Sequence, residues 1–430
     1  MNRISLDVAV SPPSGEDGRK AAGAIALLRR GEREAATRLH LEAVAANPVQ
    51  ATTWSNLAAF ALLRGDTAVA SGHASRALQL APDCVEAMVN LALVHVARQQ
   101  HGEARALLEK ALQVAPVHAR ARANYAMLIV STGELDEAEE QLRLAACACP
   151  RDWHIPLQHS RVARARGDHA AVRPLALAAI ERVIDVLPAR LELSPHKAPH
   201  TVIGLGDALC AIGDLLRNAG QPFHLMAGTL LALVRDGELL GHDKDIDLAL
   251  PWDCDREALL DLFRGAPGFV APQGPIEGPQ QWGFSVTHEP TRVGIDLFFL
   301  RHEADGVLSG VGASSLMLYS RVRPFGLAEL QWRGRPWPVP SPPEQYLEDI
   351  YGPRWREPDP YFDTVLSNPS RTAESLPIAV DIGLQRLCNA VQAGHWMLAH
   401  ALCRQLLARE QLPEIAALDA AFAQRLVRPA

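Results

Sequence analysis

A chain of 430 residues is too long for one ordinary domain, and two or three are expected. Hydrophobic residues make up 48% and charged residues 21%, a normal globular balance. The net charge of −7 argues against an extended nucleic-acid surface, which needs clustered Lys and Arg.

The opening MNRISLDVAVSPPSGEDGRK has no long apolar core and no small-residue cleavage site, so no secretory signal is expected. No window approaches about 18 uninterrupted apolar residues, the length of a membrane span. The seven cysteines are odd in number and scattered, without a C-x-x-C pair. Neither a zinc site nor a disulfide framework is indicated, and free thiols in a reducing cytoplasm are expected.

Residues 1–16, with their SPPSG run, read as a flexible lead. A repeat begins at Asp17. Pro48, Pro82, Pro116 and Pro150 fall 34 residues apart. Three alanine series keep the same period: Ala24, Ala58, Ala92, Ala126; Ala36, Ala70, Ala104, Ala138; and Ala43, Ala77, Ala111, Ala145. Gly31, Gly65 and Gly133 mark the turn between paired helices, with Gln99 as the departure. This period and these residue types are the tetratricopeptide signature. The alanines let the two helices of a repeat approach closely, and the prolines end the second helix. Four clear repeats and a fifth, degraded one (Gly167, Ala179, Pro188) are expected over 17–188, the last capping the stack. Such a solenoid has no chemistry of its own; it presents a concave surface to a peptide, a protein partner or a second copy of itself, or else only stabilises the neighbouring domain.

Residues 189–200, ARLELSPHKAPH, read as a linker. An amphipathic helix is expected at about 201–219. Phe223 to Met226 form a short strand, and Gly228-Thr229 open a helix that runs through Val234 to Arg235. Backbone N–H groups at that helix start can hold a phosphate, provided no side chain stands in the way. An RDG turn leads to Asp243, Asp245 and Asp247. Successive strand side chains alternate, so Asp245 and Asp247 share one face and Ile246 and Leu248 the other. Two carboxylates on one face repel unless a cation sits between them, and hard oxygen donors suit Mg²⁺ or Mn²⁺. Gly294 to Leu300 form a second apolar strand with one acid, Asp296, at its centre. A buried carboxylate needs a partner or a metal. A G-[ST] start, a DxD strand and a later strand with a third acid make up the nucleotidyltransferase-fold pattern. Trp282 to Thr287 pair with Gly294 to Leu300 as a hairpin. After Arg371, three Ala/Leu-rich helices form a C-terminal tail, 371–430.

The resemblance is closer than fold level. GTLLALVRDGELLGHDKDIDLAL resembles the signature of the fukutin and LicD-type phosphotransferases. RVGIDLFFL resembles that family's later LDIFF strand, and VPSPPEQYLEDIYGPRW its C-terminal tail. Ala232 replaces the usual second glycine, and Asp236 replaces a histidine common after the arginine. The resemblance covers about 201–360 and implies an α/β nucleotidyltransferase-like domain over 201–370. It implies transfer of a phospho-substituent, such as phosphocholine or a polyol phosphate, from a CDP-linked donor to a glycan or related hydroxyl.

The expected site is then as follows. Asp245, Asp247 and Asp296 ligate Mg²⁺ or Mn²⁺, with Asp296 either a ligand or the acceptor of the attacking hydroxyl's proton. Gly228 and Thr229 hold phosphate oxygens. Arg235 is either a phosphate clamp or half of a surface salt bridge. Asp243 either joins the acids or shapes the turn, His242 and Lys244 are solvated loop residues, and Tyr351-Gly352 close the pocket. Two other readings stay open. One is transfer of NMP to a protein or small molecule. The other is a non-catalytic repeat scaffold.

Overall fold

The computed structural model describes residues 7–13, 15–29, 32–187, 191–192, 202–241, 243–274, 281–312 and 317–427. Most of the expected linker 189–200, together with His242, Gly31 and Pro188, lies outside the described residues. The chain divides into two compact units. One comprises Met1–Ser194, Leu384–Leu407 and Gln411–Ala430; the other comprises Pro195–Gly383 and Ala408–Glu410.

The first unit is a helical repeat. Its helices pair as α1 (Gly15–Arg29) with α2 (Arg33–Ala45), α3 (Ala51–Arg64) with α4 (Thr67–Leu80), and α5 (Val85–Ala97) with α6 (His101–Val114). Then come α7 (Ala119–Val130) with α8 (Leu135–Ala148), and α9 (His154–Arg166) with α10 (His169–Val186). All twelve alanines of the three series are 0% exposed, which is what close helix contact at those positions requires. Gly65, Gly133 and Gly167 turn between helices at φ 82°, 83° and 76°, and Gln99 adopts the same left-handed region at φ 62°. The departure in sequence is thus no departure in conformation, although a Cβ makes that geometry costly. A two-residue strand β1 (Leu191–Glu192) follows.

The flexible lead expected over 1–16 is corrected for 7–13: Asp7, Val8, Ala9 and Ser11 are buried against the repeats. The backbone groups of Asp7, Ala9 and Ser11 find partners on the helices, which offsets the hydrogen bonds they give up on leaving water.

The second unit is a mixed sheet with helices. Its elements are α11 (Leu205–Asn218), β2 (His224–Leu225), α12 (Ala227–Arg235), β3 (Asp245–Pro251), α13 (Arg256–Gly265), β4 (Phe269–Val270) and β5 (Gly283–His288). They continue with β6 (Val293–Glu303), β7 (Gly306–Val311), β8 (Leu318–Val322), the hairpin β9 (Gly326–Trp332) and β10 (Arg335–Ser341), and α14 (Pro343–Tyr351). The strand order is β2-β3-β6-β5-β4, and β7 carries the sheet on from β6 to β8. β3 and β6 are parallel neighbours; the other pairs are antiparallel. Ile246, Leu248, Ile295, Leu297 and Phe299, each 0% exposed, fill the core side of this central pair.

Three C-terminal helices follow: α15 (Leu376–Gln392), α16 (Trp396–Leu407) and α17 (Pro413–Arg425). The latter part of α15, with α16 and α17, belongs to the repeat unit. Gln385 donates to Ser160 Oγ on α9, Arg161 donates to Asn389 Oδ1 at 2.7 Å, and α17 packs on α10. A last strand, β11 (Leu426–Val427), pairs in parallel with β1. The fifth helix pair, expected to cap the stack alone, is therefore itself covered. Among the described residues, no helix is long and apolar enough to cross a membrane.

Candidate functional site

The parallel register of β3 and β6 sets Asp247 opposite Asp296 and Asp245 opposite Gly294. Neighbouring strands stand about 4.8 Å apart, so the two acids are side by side on the face away from the core. The start of α12 closes on the same point. Met226 N–H donates to Asp247 O at 3.3 Å, Asp247 N–H donates to Thr229 Oγ1 at 2.9 Å, and Gly228 N–H donates to Asp247 Oδ2 at 3.0 Å. A Cβ added to Gly228 would lie 2.8 Å from Asp243 Oδ2 and 3.2 Å from Asp247 Oδ2. Glycine is required here because two carboxylates crowd the helix start. The positive helix end in turn favours their negative charge.

The electrostatics follow from that crowding. Burial first, then the charges of Asp245 and Asp243, push the Asp247 carboxyl up to about 8, against the pull of the Gly228 N–H. Asp245 is raised as well, by burial and then by Asp296 and Asp243. Tyr346 and Tyr351 on α14 are raised by burial and then by the charge of Asp247. Tyr351 also feels Tyr346 and Asp243, with Arg235 opposing them.

The structure thus brings Asp245, Asp247, Asp296, Gly228, Thr229 and Asp243 to one place. It gives several of them partners other than those expected. The Gly228 N–H, expected on phosphate, engages Asp247 instead, and the Thr229 hydroxyl accepts from the Asp247 N–H. Asp296 Oδ1 accepts from the Ser285 hydroxyl, directly opposite on β5. Among the described residues, no three His, Cys, Asp or Glu side chains are placed to hold one ion. In this arrangement Asp247 is held by the Gly228 N–H and Asp296 by the Ser285 hydroxyl. Asp243 N–H closes a turn to Leu240 O at 2.9 Å, and its Oδ2 faces Gly228.

Arg235 pairs with its neighbour Asp236 at 2.9 Å. It also lines a cavity of about 410 Å³ with Leu231, Tyr351, Arg354 and Trp355. Ser285 and Tyr346 are not among the candidates that the sequence supplies. Ser285 becomes visible only once strand pairing is known, whereas Tyr346 lies in the quoted QYLEDIYG tail.

The tetratricopeptide repeat family matches residues 49–116 and, in a second variant, 95–146. The N-terminal region therefore carries tetratricopeptide repeats, an architecture for protein interaction. Neither match reaches the sheet unit. Among solved structures, a thermophilic TPR protein from Thermus thermophilus is 20% identical, with 39% of this chain and 91% of that chain covered and a TM-score of 0.36. A tetratricopeptide repeat protein from Parabacteroides merdae is 19% identical, covering 40% and 70%, with a TM-score of 0.32. PilW, described as a type IV pilus biogenesis factor, is 21% identical, covering 41% and 81%, with a TM-score of 0.34. No curated protein matches the chain.

Proposed function

We propose that the sheet unit is a divalent-cation-dependent phosphotransferase, and that the repeats bring it a protein partner or acceptor. The observation that carries this reading is the placement of Asp247 and Asp296 on adjacent parallel strands, with the α12 N-terminus against Asp247. Like charges this close repel, and an all-oxygen donor set suits Mg²⁺ or Mn²⁺. The fit is one of donor type. Asp245 and Asp247 would hold the ion, and Asp296, once turned from Ser285, would complete the set or take the acceptor's proton. A bound cation would offset the charge of a pyrophosphate and of the departing nucleotide.

The remaining roles belong to the chain. Gly228 lets an anion approach the helix start. Arg235, now on Asp236, has the fork geometry that matches phosphate oxygens. Following the resemblance, the donor is CDP-linked, carrying choline or a polyol phosphate, and the acceptor is a hydroxyl of a glycan. The bond from the donor phosphorus to the CMP oxygen breaks, and a bond to the acceptor oxygen forms. The acceptor proton passes to a carboxylate such as Asp296. A reducing cytoplasm is the compartment this reading assumes, in keeping with seven free thiols. Incubation with a panel of nucleotide-diphosphate-linked donors and Mg²⁺ tests it. CMP release from a CDP donor is expected. Release only from another donor would overturn the donor assignment, and release from none would overturn the enzyme.

One observation favours a second reading, a repeat scaffold whose sheet unit is not catalytic: the family matches lie in the repeats. NMP transfer to a protein or small molecule is a variant of the first reading that the same donor panel would reveal.

A further inference from the structure

Asn56 on α3, Asn90 on α5 and Asn124 on α7 stand 34 residues apart and are 0%, 0% and 1% exposed. Each spends both ends of its amide on one residue of the N-terminal segment. Ser11 N–H donates to Asn56 Oδ1 at 2.7 Å, and Asn56 Nδ2 donates back to Ser11 O at 3.0 Å. Ala9 and Asn90 repeat the pair at 2.9 and 2.8 Å, and Asp7 and Asn124 at 3.0 and 2.8 Å. Alternate residues are held, and the segment runs against the order of the repeats. An extended chain presents N–H and C=O to the same side at every second residue, so three side-chain amides act as a strand's edge would. Contacts of this kind read the backbone and are blind to sequence.

Sequence is read at three places. Asp7 Oδ2 meets Arg120, and His154 Nε2 at 3.0 Å. Asp152 steadies both, at 3.1 Å from Arg120 and 2.9 Å from His154. Val8 packs with Ile25, Phe60 and Leu93. Ala9, 2% exposed, sits where a small residue fits. Val10 is 39% exposed and unread, and Pro12 and Pro13 are exposed beyond the ladder.

We propose that this groove is a binding site for an extended segment of a partner protein bearing an acid, an aliphatic and a small residue in succession. The chain's own Asp7–Ser11 occupies it until that partner displaces it. This rests on the reading that the repeats bind a protein and is independent of the chemistry of the sheet unit. Displacement exchanges each hydrogen bond for an equivalent one, so a partner competes chiefly against the high local concentration of a tethered segment. A groove open for about one tenth of the time weakens the apparent affinity of a partner about tenfold.

The test uses a fluorescein-labelled peptide with the sequence of residues 7–13 and fluorescence anisotropy. It compares the full-length chain with full-length Asp7→Lys, which sets a lysine against Arg120 and loosens the segment. The variant should bind the peptide about tenfold more tightly or better, and adding Asn90→Ala should remove the gain. Equal affinity in both chains would overturn self-occupancy, and binding to neither would overturn the groove. Hydrogen exchange on the unaltered chain gives a second readout that needs no variant. The amides of Asp7, Ala9 and Ser11 should be protected, and should exchange faster when unlabelled peptide is added. Protection that rises with protein concentration alongside a dimer in light scattering would assign the occupant to a second copy and overturn the intramolecular arrangement. Nucleotide release from a donor does not depend on the groove, so failure here and failure of the enzyme reading are separable.

Discussion

The repeat unit and the sheet unit each set polar side chains in a row against secondary structure, and they treat them oppositely. Asn56, Asn90 and Asn124 are neutral, and each is paired at both ends with backbone. Asp245, Asp247 and Asp296 are acids crowded on one face of adjoining strands, with an N–H on one and a hydroxyl on another, and the crowding shows in Asp247, pushed up to about 8. A satisfied neutral network can stand by itself, whereas a row of acids costs stability until something positive joins it. The first row is explained by what is already in the chain, and the second points outside it.

That contrast breaks most visibly at Asp247. Asp247→Asn keeps the shape and removes one charge. Turnover to CMP should fall by about 10²–10³, the scale of losing one element of electrostatic stabilisation. Unchanged release would put the acids outside the chemistry. Gly228→Ala pushes a methyl group between Asp243 and Asp247. Steric overpacking of this kind costs about 1–3 kcal/mol, read as a lower denaturation midpoint of the sheet unit, with loss of turnover. In the repeat unit, Asn90→Ala strands the backbone of Ala9. It should cost about 1–3 kcal/mol in the unfolding of the repeats while nucleotide release stays at the wild-type rate.

The two units should also answer pH with opposite sign. Burial, then His73 and Arg64, lower His40 to about 4, below its ordinary 6.5. A depressed pKa means that the unfolded chain binds the proton more readily. Stability from His40 is therefore present above 6.5 and lost as pH falls toward 4. Asp247, raised to about 8, works the other way: in chelator-treated protein the sheet unit should lose stability as pH rises from about 4 toward 8. Thermal unfolding of chelated protein across that range, with probes in each unit, checks both signs. The smallest effect expected is at Gln99. Gln99→Gly relieves a left-handed residue and should stabilise the repeats by about 1 kcal/mol, read as a rise in their denaturation midpoint.

The repeats are legible because each structural position is written several times at a fixed period, so chance alignments are suppressed. The Asn56, Asn90 and Asn124 series has that same period and is equally available. It goes unread in the sequence, because a buried polar residue on an inner helix is unremarked until its partner is known. That partner, Asp7 to Ser11, has no periodicity and sits beside SPPSG, which points to a loose lead. In the sheet unit, alternation places Asp245 and Asp247 on one face, and the glycine of Gly228-Thr229 marks the close approach. What strand spacing cannot reveal is pairing. Only the register of β5, β6 and β3 shows that Ser285 meets Asp296 and that Asp296 stands opposite Asp247. The partners of Arg235 depend likewise on side-chain rotamers that no sequence pattern encodes.

If the acids of β3 and β6 form a cation site, calorimetric titration of Mn²⁺ into chelator-stripped full-length protein should separate wild type from Asp247→Asn. Saturable binding by the wild type is expected, with its loss, or a weakening of tenfold or more, in the variant, a difference of about 1.4 kcal/mol or greater. No binding by folded wild-type protein, or equal binding by both chains, would contradict the site.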